Sequence, residues 1–401
     1  MKIIIFTENN RGGGMDTFIG SLINNWPEKN DTFIVICNKN HPGLTYLEGL
    51  LPKNTQLIKH SIKLNWSIAT KLISKLPKLF QRILRQLLRV LLAPIQYVQI
   101  KNLLSKHDGD QLISVNGSYP GGETCRLANI AWRSIGKPRS IHNVHNYAIK
   151  NRKIFSFYES FIDGQLKDSC KSIVSVSKSC ADSLRIRDKF KSSNKISYIY
   201  NGLSIESNNI VTSNLRDTIG ISKNSKLMVM IGTYEERKGH EFLLKAMSYV
   251  YQKHVNVHLA IIGSGSKSEI SRINQLIEKY TLNKNIHLTG FIDNAPQMIK
   301  GADILLIPSQ GFESFGLTAV EGMLNNIPVI STNTGGLPET LGINGVTGLY
   351  SPADNYELFA KNIIYLLNNK GVREQVGVNG KLRAKSLFSP SVMAKKYKDL
   401  I

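Results

Sequence analysis

Short apolar runs alternate along this chain with longer segments in which apolar residues recur every three or four positions. The short runs predict buried strands, and the longer segments predict helices that cover them. Regular alternation of strand and helix is typical of an α/β fold with parallel sheets. The predicted strands are 2–6, 32–37, 111–115, 141–144, 172–176, 196–200, 227–231, 258–262, 286–289, 304–308 and 329–332.

A polar stretch at 204–226 divides the predicted strands into two groups. A chain of 401 residues is too long for one ordinary core and suits two domains. We therefore predict two Rossmann-like, doubly wound domains, at 1–203 and 204–385, that face each other across a cleft. Residues 386–401 predict a final helix, and the pattern leaves open whether it returns to the first domain. Ligands of such sheets collect at the carboxyl ends of the strands.

Positive charge is concentrated in one part of the chain. The net charge is +22, and no acidic residue lies between Glu48 and Asp108. Within that segment, cations alternate with apolar residues at helical spacing over 71–89, which predicts a basic amphipathic helix that begins or bends at Pro77. The cations of this helix are Lys71, Lys75, Lys78, Arg82, Arg85 and Arg89.

Such a helix suits an anionic membrane surface. A helix packed on the core with a solvated charged side fits the pattern nearly as well. No known DNA- or RNA-binding motif accompanies the charge, so nucleic acid is not an expected partner. The longest apolar stretch, 87–100, is interrupted by Arg89 and Pro94 and is too short to span a membrane.

Composition narrows the class of protein further. Hydrophobic residues make up 42% of the chain and charged residues 20%, which is typical of a folded globular protein. The start of the chain lacks the apolar core of a secretory signal. The cysteines are far apart and show neither disulfide-scaffold nor zinc spacing, which favours reduced thiols in a cytosolic protein. They are Cys37, Cys125, Cys170 and Cys180.

The sequence PSQGFESFGLTAVE at 308–321 is the most informative segment. It predicts a strand end, a loop that contains glycine, and a helix that begins near Ser314. A helix start offers unpaired amides and a positive dipole, so the amides of Phe315, Gly316 and Leu317 predict a diphosphate site.

Two glutamates flank this helix start. Glu313 precedes the helix, and Glu321 lies about two turns into it at ~1.5 Å per residue, so the two could reach opposite ends of a diphosphate. Carboxylates accept hydrogen bonds from the hydroxyl pairs of sugars. An E-x7-E pair alone is more typical of a solvated helix, but the strand and loop beside it favour a binding site.

Three other segments place candidate residues at strand ends. IGTYEERKG at 231–239 brings Arg237 and Lys238 to a strand–loop–helix junction, where cations could neutralise a diphosphate. The glycines of ENNRGGGMDTF at 8–18 permit close backbone approach to a ligand, although neither they nor Gly263-Ser264-Gly265 form a dinucleotide fingerprint. His142 and His145 lie at or just beyond a predicted strand end.

Taken together, these segments resemble glycosyltransferase family 4, a group of retaining enzymes with the two-domain GT-B fold. The resemblance covers nearly the whole chain in order and spacing. Its motifs are GGG at 12–14, HNVHN at 142–146, YNG at 200–202, RKG at 237–239, GSG at 263–265, GFIDN at 290–294, the E-x7-E segment and TGGLPE at 334–339.

The resemblance implies roles for individual residues. Glu321 would bind the donor ribose, Glu313 the donor sugar, and Lys238 with Arg237 the diphosphate. His145, rather than His142, would contact the sugar's primary hydroxyl. Further donor contacts are implied for Gly13, Gly14, Gly263, Phe291, Ile292, Ser314, Phe315, Gly316 and Leu317. The sequence departs from the family pattern at Thr233, where arginine is common, and at Ser204, where aspartate is common.

The implied reaction moves a hexose-type sugar from a nucleotide sugar, with UDP as the expected nucleotide, to a glycan or polyprenyl-diphosphate-linked acceptor. It would need no metal and no other cofactor, and Asp108-Gly109-Asp110 is read as a turn. The expected setting is bacterial surface polysaccharide synthesis, such as O-antigen, capsule or lipopolysaccharide core, on the cytoplasmic face of the membrane. The glycine-rich segment 116–126 would line the acceptor side. Alternatives are a sugar-nucleotide epimerase with the same fold and a non-catalytic binder of membranes or nucleic acid.

Overall fold

The computed structural model describes residues 1–10, 12–65, 68, 77–205 and 215–401. They form two compact units: Met1–Gly202 together with Pro390–Ile401, and Leu203–Ser389. Each unit contains one parallel sheet covered by helices, which confirms the predicted α/β class. The last predicted segment, 386–401, is divided, because a helix of the second unit continues to Leu387 and the final helix belongs to the first unit.

The first unit is built on a seven-stranded sheet with the order β3-β2-β1-β4-β5-β6-β7. Neighbouring strands are parallel throughout. The central strands are almost wholly buried because helices cover both faces of the sheet. The strands are β1 Lys2–Thr7, β2 Thr32–Asn38, β3 Gln56–His60, β4 Gln111–Asn116, β5 Ser140–Val144, β6 Cys170–Ser175 and β7 Ile196–Tyr198.

In the described part of the first unit, six α-helices connect successive strands, and a final helix follows the second unit. They are α1 Gly14–Asn24, α2 Leu44–Leu50, α3 Lys78–Ser105, α4 Glu123–Ser134, α5 Ser156–Ser169, α6 Lys178–Ser183 and the final helix α15 Pro390–Asp399. Helix α15 packs against α1, and the Tyr397 hydroxyl accepts a hydrogen bond from Asn143 of β5 at 2.6 Å. This contact makes the end of the chain part of the first unit's core.

The second unit is built on a six-stranded parallel sheet with the order β10-β9-β8-β11-β12-β13. Its strands are β8 Lys226–Ile231, β9 Val257–Ile262, β10 Ile286–Gly290, β11 Ile304–Ile307, β12 Val329–Thr332 and β13 Leu349–Ser351. Its helices are α7 Leu215–Thr218, α8 His240–Tyr251, α9 Lys267–Lys279, α10 Ala295–Met298, α11 Leu317–Leu324, α12 Leu337–Leu341, α13 Tyr356–Asn368 and α14 Lys370–Leu387.

Every predicted strand overlaps an observed one, but β3 and β13 were not predicted. Both are edge strands. In β3, Gln56 and Lys59 are exposed while His60 is buried, so the strand lacks the continuous apolar run of a central strand. Edge strands bury less surface than central ones, and their sequence signal is correspondingly weaker.

The structure corrects one residue of the predicted basic helix. Helix α3 follows Pro77 directly, but residues 71–76, including Lys71 and Lys75, lie outside the described residues. Arg89 was expected on the cationic face and is instead buried, where its guanidinium contacts Glu123 and Glu159. A buried cation needs such partners, and these partners are distant in sequence. Among the described residues, no helix is both long enough and apolar enough to span a membrane.

Candidate functional site

The candidate site lies in the second unit, at the carboxyl ends of β8 and β11. The strand order reverses between these neighbours, since β8 is followed by β9 on one side while β11 leads to β12 on the other. Open α/β sheets bind ligands at such a point because the loops that follow the two strands diverge there. A small cavity at this position is lined by residues of both strand ends, among them Lys238, Glu313 and Gly316.

The loop after β8 carries Lys238 at the end of a short 3-10 helix, Glu236–Lys238. Gly239 follows with a φ of 78° and directly precedes α8. A Cβ at Gly239 would lie 1.8 Å from the carbonyl oxygen of Pro308, so only glycine allows this loop to approach the end of β11. The close approach brings Lys238 to the second loop.

Lys238 and Glu313 form an ion pair across the two loops. The Nζ of Lys238 is 2.7 Å from Oε2 of Glu313, and both side chains are largely buried. Ser309 also donates to the same carboxylate oxygen at 3.3 Å. A lysine with three donors and one carboxylate partner retains capacity for further anionic ligands.

Residues after β12 hold the Glu313 loop in place. The backbone carbonyl of Glu313 accepts a hydrogen bond from the amide of Gly336 at 2.8 Å. The hydroxyls of Thr332 and Thr334 both donate to the carbonyl of Ser309, at 2.5 and 2.9 Å. Sequence reasoning noted the TGGLPE motif but missed these supporting bonds, because a hydroxyl's partner is decided only by the neighbouring strand.

Helix α11 begins at Leu317, three residues later than the predicted start at Ser314. Gly316 precedes it with a φ of 91°, and Phe315 is buried against Phe388 with ring centroids 5.2 Å apart. Because Gly316 is in the left-handed region, the helix cannot extend back through it. The amides of Ala319 and Val320 donate to the Gly316 carbonyl, at 2.9 and 3.4 Å. The amides of Leu317 and Thr318 come before the first hydrogen bond of the helix and can bind an anion.

Glu321 lies about one turn into α11, not two as predicted, because the helix starts late. Burial raises the pKa of its carboxyl from 4.5 to about 7. No cation or hydrogen-bond donor of the described residues pairs with this carboxylate. Glu321 itself is partly exposed. A desolvated carboxyl without a partner is costly for folding, and such groups concentrate at functional sites.

Arg237 is placed beside the site but already has partners. Its Nε is 2.7 Å from Oε2 of Glu235, and its guanidinium lies over the ring of Phe312 at 5.3 Å. Its backbone carbonyl accepts hydrogen bonds from the amides of Gln310 and Gly311. The structure therefore shows Arg237 as a bridge between the two loops.

Other predicted donor contacts lie just after neighbouring strands, at the same carboxyl-terminal end of the sheet. Gly263 comes directly after β9, and a Cβ there would lie 1.9 Å from the carbonyl oxygen of Gly232. Phe291 and Ile292 follow β10, and the Phe291 side chain is 71% exposed. An exposed aromatic ring at the ligand-binding edge offers a flat apolar surface.

In the first unit, a buried polar cluster anchors the predicted glycine loop. Gly13 has a φ of 138°, and Gly14 begins α1. The carboxylate of Asp16 accepts hydrogen bonds from the Gly13 amide at 3.0 Å and from Asn9 at 2.8 Å, and it lies 2.8 Å from Nε2 of His41. Asp16 and His41 were not predicted, since 25 residues separate them in sequence.

The two candidate histidines have different surroundings. His142 is fully buried in β5, with its Nδ1 2.7 Å from the Ser114 hydroxyl. His145 lies just after β5 and packs edge-on against Phe18, with ring centroids 4.6 Å apart. Burial lowers the pKa of each imidazole to about 3, so both are neutral at physiological pH. Only His145 lies at the carboxyl end of the strand.

Two further expectations are settled by position. The end of the predicted acceptor-side segment, 123–126, is the buried first turn of α4 and cannot line an open surface. Asp110 accepts a hydrogen bond from the Lys2 amide at 2.7 Å, at the opposite end of the sheet from the ligand-binding edge. In the described part of the chain, no group of three or more histidine, cysteine, aspartate or glutamate side chains is arranged to hold a metal ion.

Comparison with known proteins bears on what this arrangement does. Residues 211–383 match the model of the family described as glycosyl transferases group 1. The chain is 28% identical to an uncharacterised glycosyltransferase of Methanocaldococcus jannaschii over 68% of either protein. It is 24% identical to the capsular polysaccharide biosynthesis glycosyltransferase CapM of Staphylococcus aureus, over 73% of this chain and 77% of CapM.

A solved structure shows the same fold. The Anabaena protein HepE in complex with UDP superposes with a TM-score of 0.72 at 17% identity, covering 100% of this chain and 99% of HepE. The matched family domain contains Lys238, Glu313 and Glu321. The chain is therefore a glycosyltransferase with the GT-B fold, and its residues 211–383 are similar to the group 1 glycosyl transferases.

Proposed function

We propose that this enzyme is a retaining hexosyltransferase of family 4 that takes its sugar from a nucleotide sugar, with UDP as the nucleotide. The acceptor is a glycan or a polyprenyl-diphosphate-linked glycan of bacterial surface polysaccharide synthesis. Two relatives support this proposal: CapM is a capsular polysaccharide glycosyltransferase, and HepE was solved in complex with UDP.

The observation that carries the proposal is the Lys238–Glu313 pair at the start of α11. One cation, a set of helix amides and the partly buried carboxyl of Glu321, which has no partner among the described residues, lie within one strand-end region. A nucleotide sugar presents a diphosphate between two hydroxylated rings. The cation and the amides suit the diphosphate, and the carboxylates suit the hydroxyls of the two rings.

In the proposed complex Lys238 exchanges partners. The diphosphate takes the lysine from Glu313, which leaves that carboxylate free to accept hydrogen bonds from the sugar's hydroxyls. The amides of Phe315, Gly316 and Leu317, with the hydroxyl of Ser314 and the guanidinium of Arg237, hold the phosphates, while Glu321 accepts from the ribose. In this complex the nucleotide lies beside Gly263, Phe291 and Ile292. Gly13, Gly14 and His145 of the first unit stay predicted donor contacts.

The chemistry we propose is front-side displacement. The bond between the anomeric carbon and the diphosphate oxygen breaks, the acceptor oxygen bonds to the same face of that carbon, and the acceptor's proton passes to the departing phosphate. Lys238 and the helix amides stabilise the negative charge that builds on the leaving group, which is where catalysis gains most. No enzymic nucleophile and no metal is assigned, so activity should persist in EDTA.

A screen of nucleotide sugars tests the proposal directly. The purified enzyme is mixed with UDP, GDP and ADP sugars, with thermal shift measured first and release of nucleoside diphosphate with a glycan-lipid acceptor second. We expect UDP sugars to stabilise the protein and UDP release to require acceptor. Conversion of the donor to an epimer without transfer would overturn the transferase chemistry in favour of an epimerase.

We also propose that the enzyme works on the cytoplasmic face of the membrane, held by the cations of the segment without acidic residues. Each cation near an anionic surface contributes about 1 kcal/mol. Flotation with anionic vesicles, repeated after charge reversal at Lys75, Lys78, Arg82 and Arg85, tests this. Unchanged flotation of the reversed variant would remove the membrane assignment.

A further inference from the structure

A groove of about 420 Å³ opens on the first unit between α3 and α5, with α4 below it. Its wall is almost entirely apolar and includes Val90, Pro94 and Tyr97 of α3, Ile130 of α4, and Tyr158 and Phe161 of α5. That volume falls within the range of small-molecule sites. None of the predicted donor residues lines it.

Apolar side chains beside the groove are also exposed. Along α3, Leu91 is 68% exposed, and Leu87, Ile95 and Val98 are exposed as well. On α5, Phe157 is 89% exposed. Contiguous exposed apolar surface of this kind is uncommon on a monomeric protein and marks a binding surface.

The charges around the groove are mostly positive, with Asp168 near the end of α5 as an exposed carboxylate. Helix α3 contains no acidic residue, and none occurs from Thr124 to Tyr158. The carboxylates beneath the face, Glu123, Glu159 and Asp163, are buried and bound by arginines. An occupant with a negative group is therefore favoured.

One arginine brings excess charge to the end of the groove. Arg152 donates to Glu159 at 2.9 Å and to Gln86 of α3 at 3.1 Å, one turn before Val90 of the groove wall. Three arginines and three carboxylates lie beneath it among the described residues, so Arg152 brings the network to one positive charge in excess. Burial and the neighbouring Arg89 lower the pKa of Arg152, as expected where cations are crowded.

We infer that this groove binds one anionic membrane lipid, with a hydrocarbon chain between α3 and α5 and the charged headgroup at Arg152. The inference deepens the membrane part of the proposed function and rests on it for the source of the lipid. On this inference the first unit does more than lie on the membrane surface: it binds one lipid molecule in a defined groove.

A second copy of this chain fits the face less well. A two-fold dimer would place the same patch against itself, so its cations would oppose cations. Like charges across an interface cost several kcal/mol. An anionic lipid covers the apolar wall and neutralises Arg152 at once.

Binding of a monomeric lipid tests the site. Short-chain phosphatidic acid is titrated below its micelle concentration and followed by calorimetry, with phosphatidylcholine of the same chain length as the uncharged comparison. We expect one molecule of phosphatidic acid per chain and binding at least tenfold weaker for phosphatidylcholine. Arg152→Gln should weaken phosphatidic acid binding about tenfold, because a charge-assisted contact is lost.

Two variants separate the groove from the headgroup contact. Phe161→Ser removes an apolar side chain of the groove wall that is 56% exposed. It should weaken the binding of both lipids several-fold. Arg133→Gln, an exposed cation at the end of α4, is the matched control and should bind as the parent does. Each variant should keep the thermal shift given by UDP, so loss of lipid binding stays distinguishable from loss of the donor site.

Three results would overturn the inference. If the protein floats with vesicles but does not bind monomeric phosphatidic acid, it contacts the membrane surface without a lipid site in the groove. Equal affinity for both lipids would remove the headgroup contact at Arg152. A dimer seen by light scattering that dissociates in Phe161→Ser would assign the face to a second copy.

Discussion

Two glutamates, the buried Glu123 of the first unit and the partly buried Glu321 of the second, have opposite pKa shifts. Glu123 of the first unit contacts Arg89, Arg126 and the Tyr158 hydroxyl. Burial alone would raise its pKa, but Arg126 and Arg89 overcome that effect and lower the pKa to about 2. Glu321 of the second unit has no such partner in the described part of the chain, and burial raises its pKa to about 7.

Charged groups that stabilise the fold can thus be distinguished from charged groups that can bind a ligand. The first unit's arginine network satisfies its carboxylates from several sides, so the charged groups have fixed partners. At the second unit's site, Lys238 has one partner and Glu321 has none among the described residues. A ligand can supply the missing partners there, whereas in the network it would have to displace existing ones.

Removing a buried arginine from the first unit's network should give the largest effect, a loss of stability. Arg187 contacts Glu159 and Asp163, each at 2.8 Å, and is fully buried. Arg187→Ala leaves two buried carboxylates short of a partner, and we expect a loss of about 4 kcal/mol in the free energy of unfolding. Chemical denaturation measures it. Arg133→Ala, at an exposed arginine, is the control and should change stability by less than about 0.5 kcal/mol.

Removing the site's cation should act on turnover and not on stability. We expect Lys238→Ala to lower kcat/KM by two to three powers of ten, about 3 kcal/mol in the transition state, with the melting temperature nearly unchanged. Lys245→Ala, which removes an exposed lysine of α8 paired with Glu241, is the control. Near-normal turnover in Lys238→Ala would contradict the leaving-group role.

The unpartnered Glu321 should make the enzyme less stable as pH rises. Between pH 4.5 and 7 the folded protein keeps this proton and the unfolded chain releases it, so wild-type stability falls across that window. We expect the advantage of Glu321→Gln over wild type to be about 3 kcal/mol larger at pH 8 than at pH 4.5. Denaturation at the two pH values measures this, and an advantage independent of pH would show that Glu321 has a partner.

The same carboxyl should make nucleotide binding depend on pH. Ribose hydroxyls donate to the ionised form, so UDP binding should require loss of the Glu321 proton. We expect the Kd of UDP to be about tenfold lower at pH 8 than at pH 6, a difference of about 1.4 kcal/mol. Calorimetry in Glu321→Gln should show weaker binding without that dependence.

Local patterns predicted most of the architecture because central strands and their helices bury continuous or periodic apolar residues. The E-x7-E segment was recognisable for a related reason, since a strand end, a glycine and a helix start are adjacent in sequence. The error in the start of α11 came from Gly316, whose left-handed backbone is a property of the folded loop. The edge strand β3 was missed because it lacks a continuous apolar run, and β13 was missed because it is only three residues long.

The sequence by itself determined the two parallel-sheet units, the group of enzymes that this chain resembles and the residues at the strand ends. Only the tertiary structure decided that Lys238 contacts Glu313, 75 residues away, and that Arg89 is buried in the first unit. It also decided that no described residue pairs with the Glu321 carboxylate. The physical reason is that strand and helix periodicity are local. Whether a charge is paired depends on which distant segments the sheet order brings beside it.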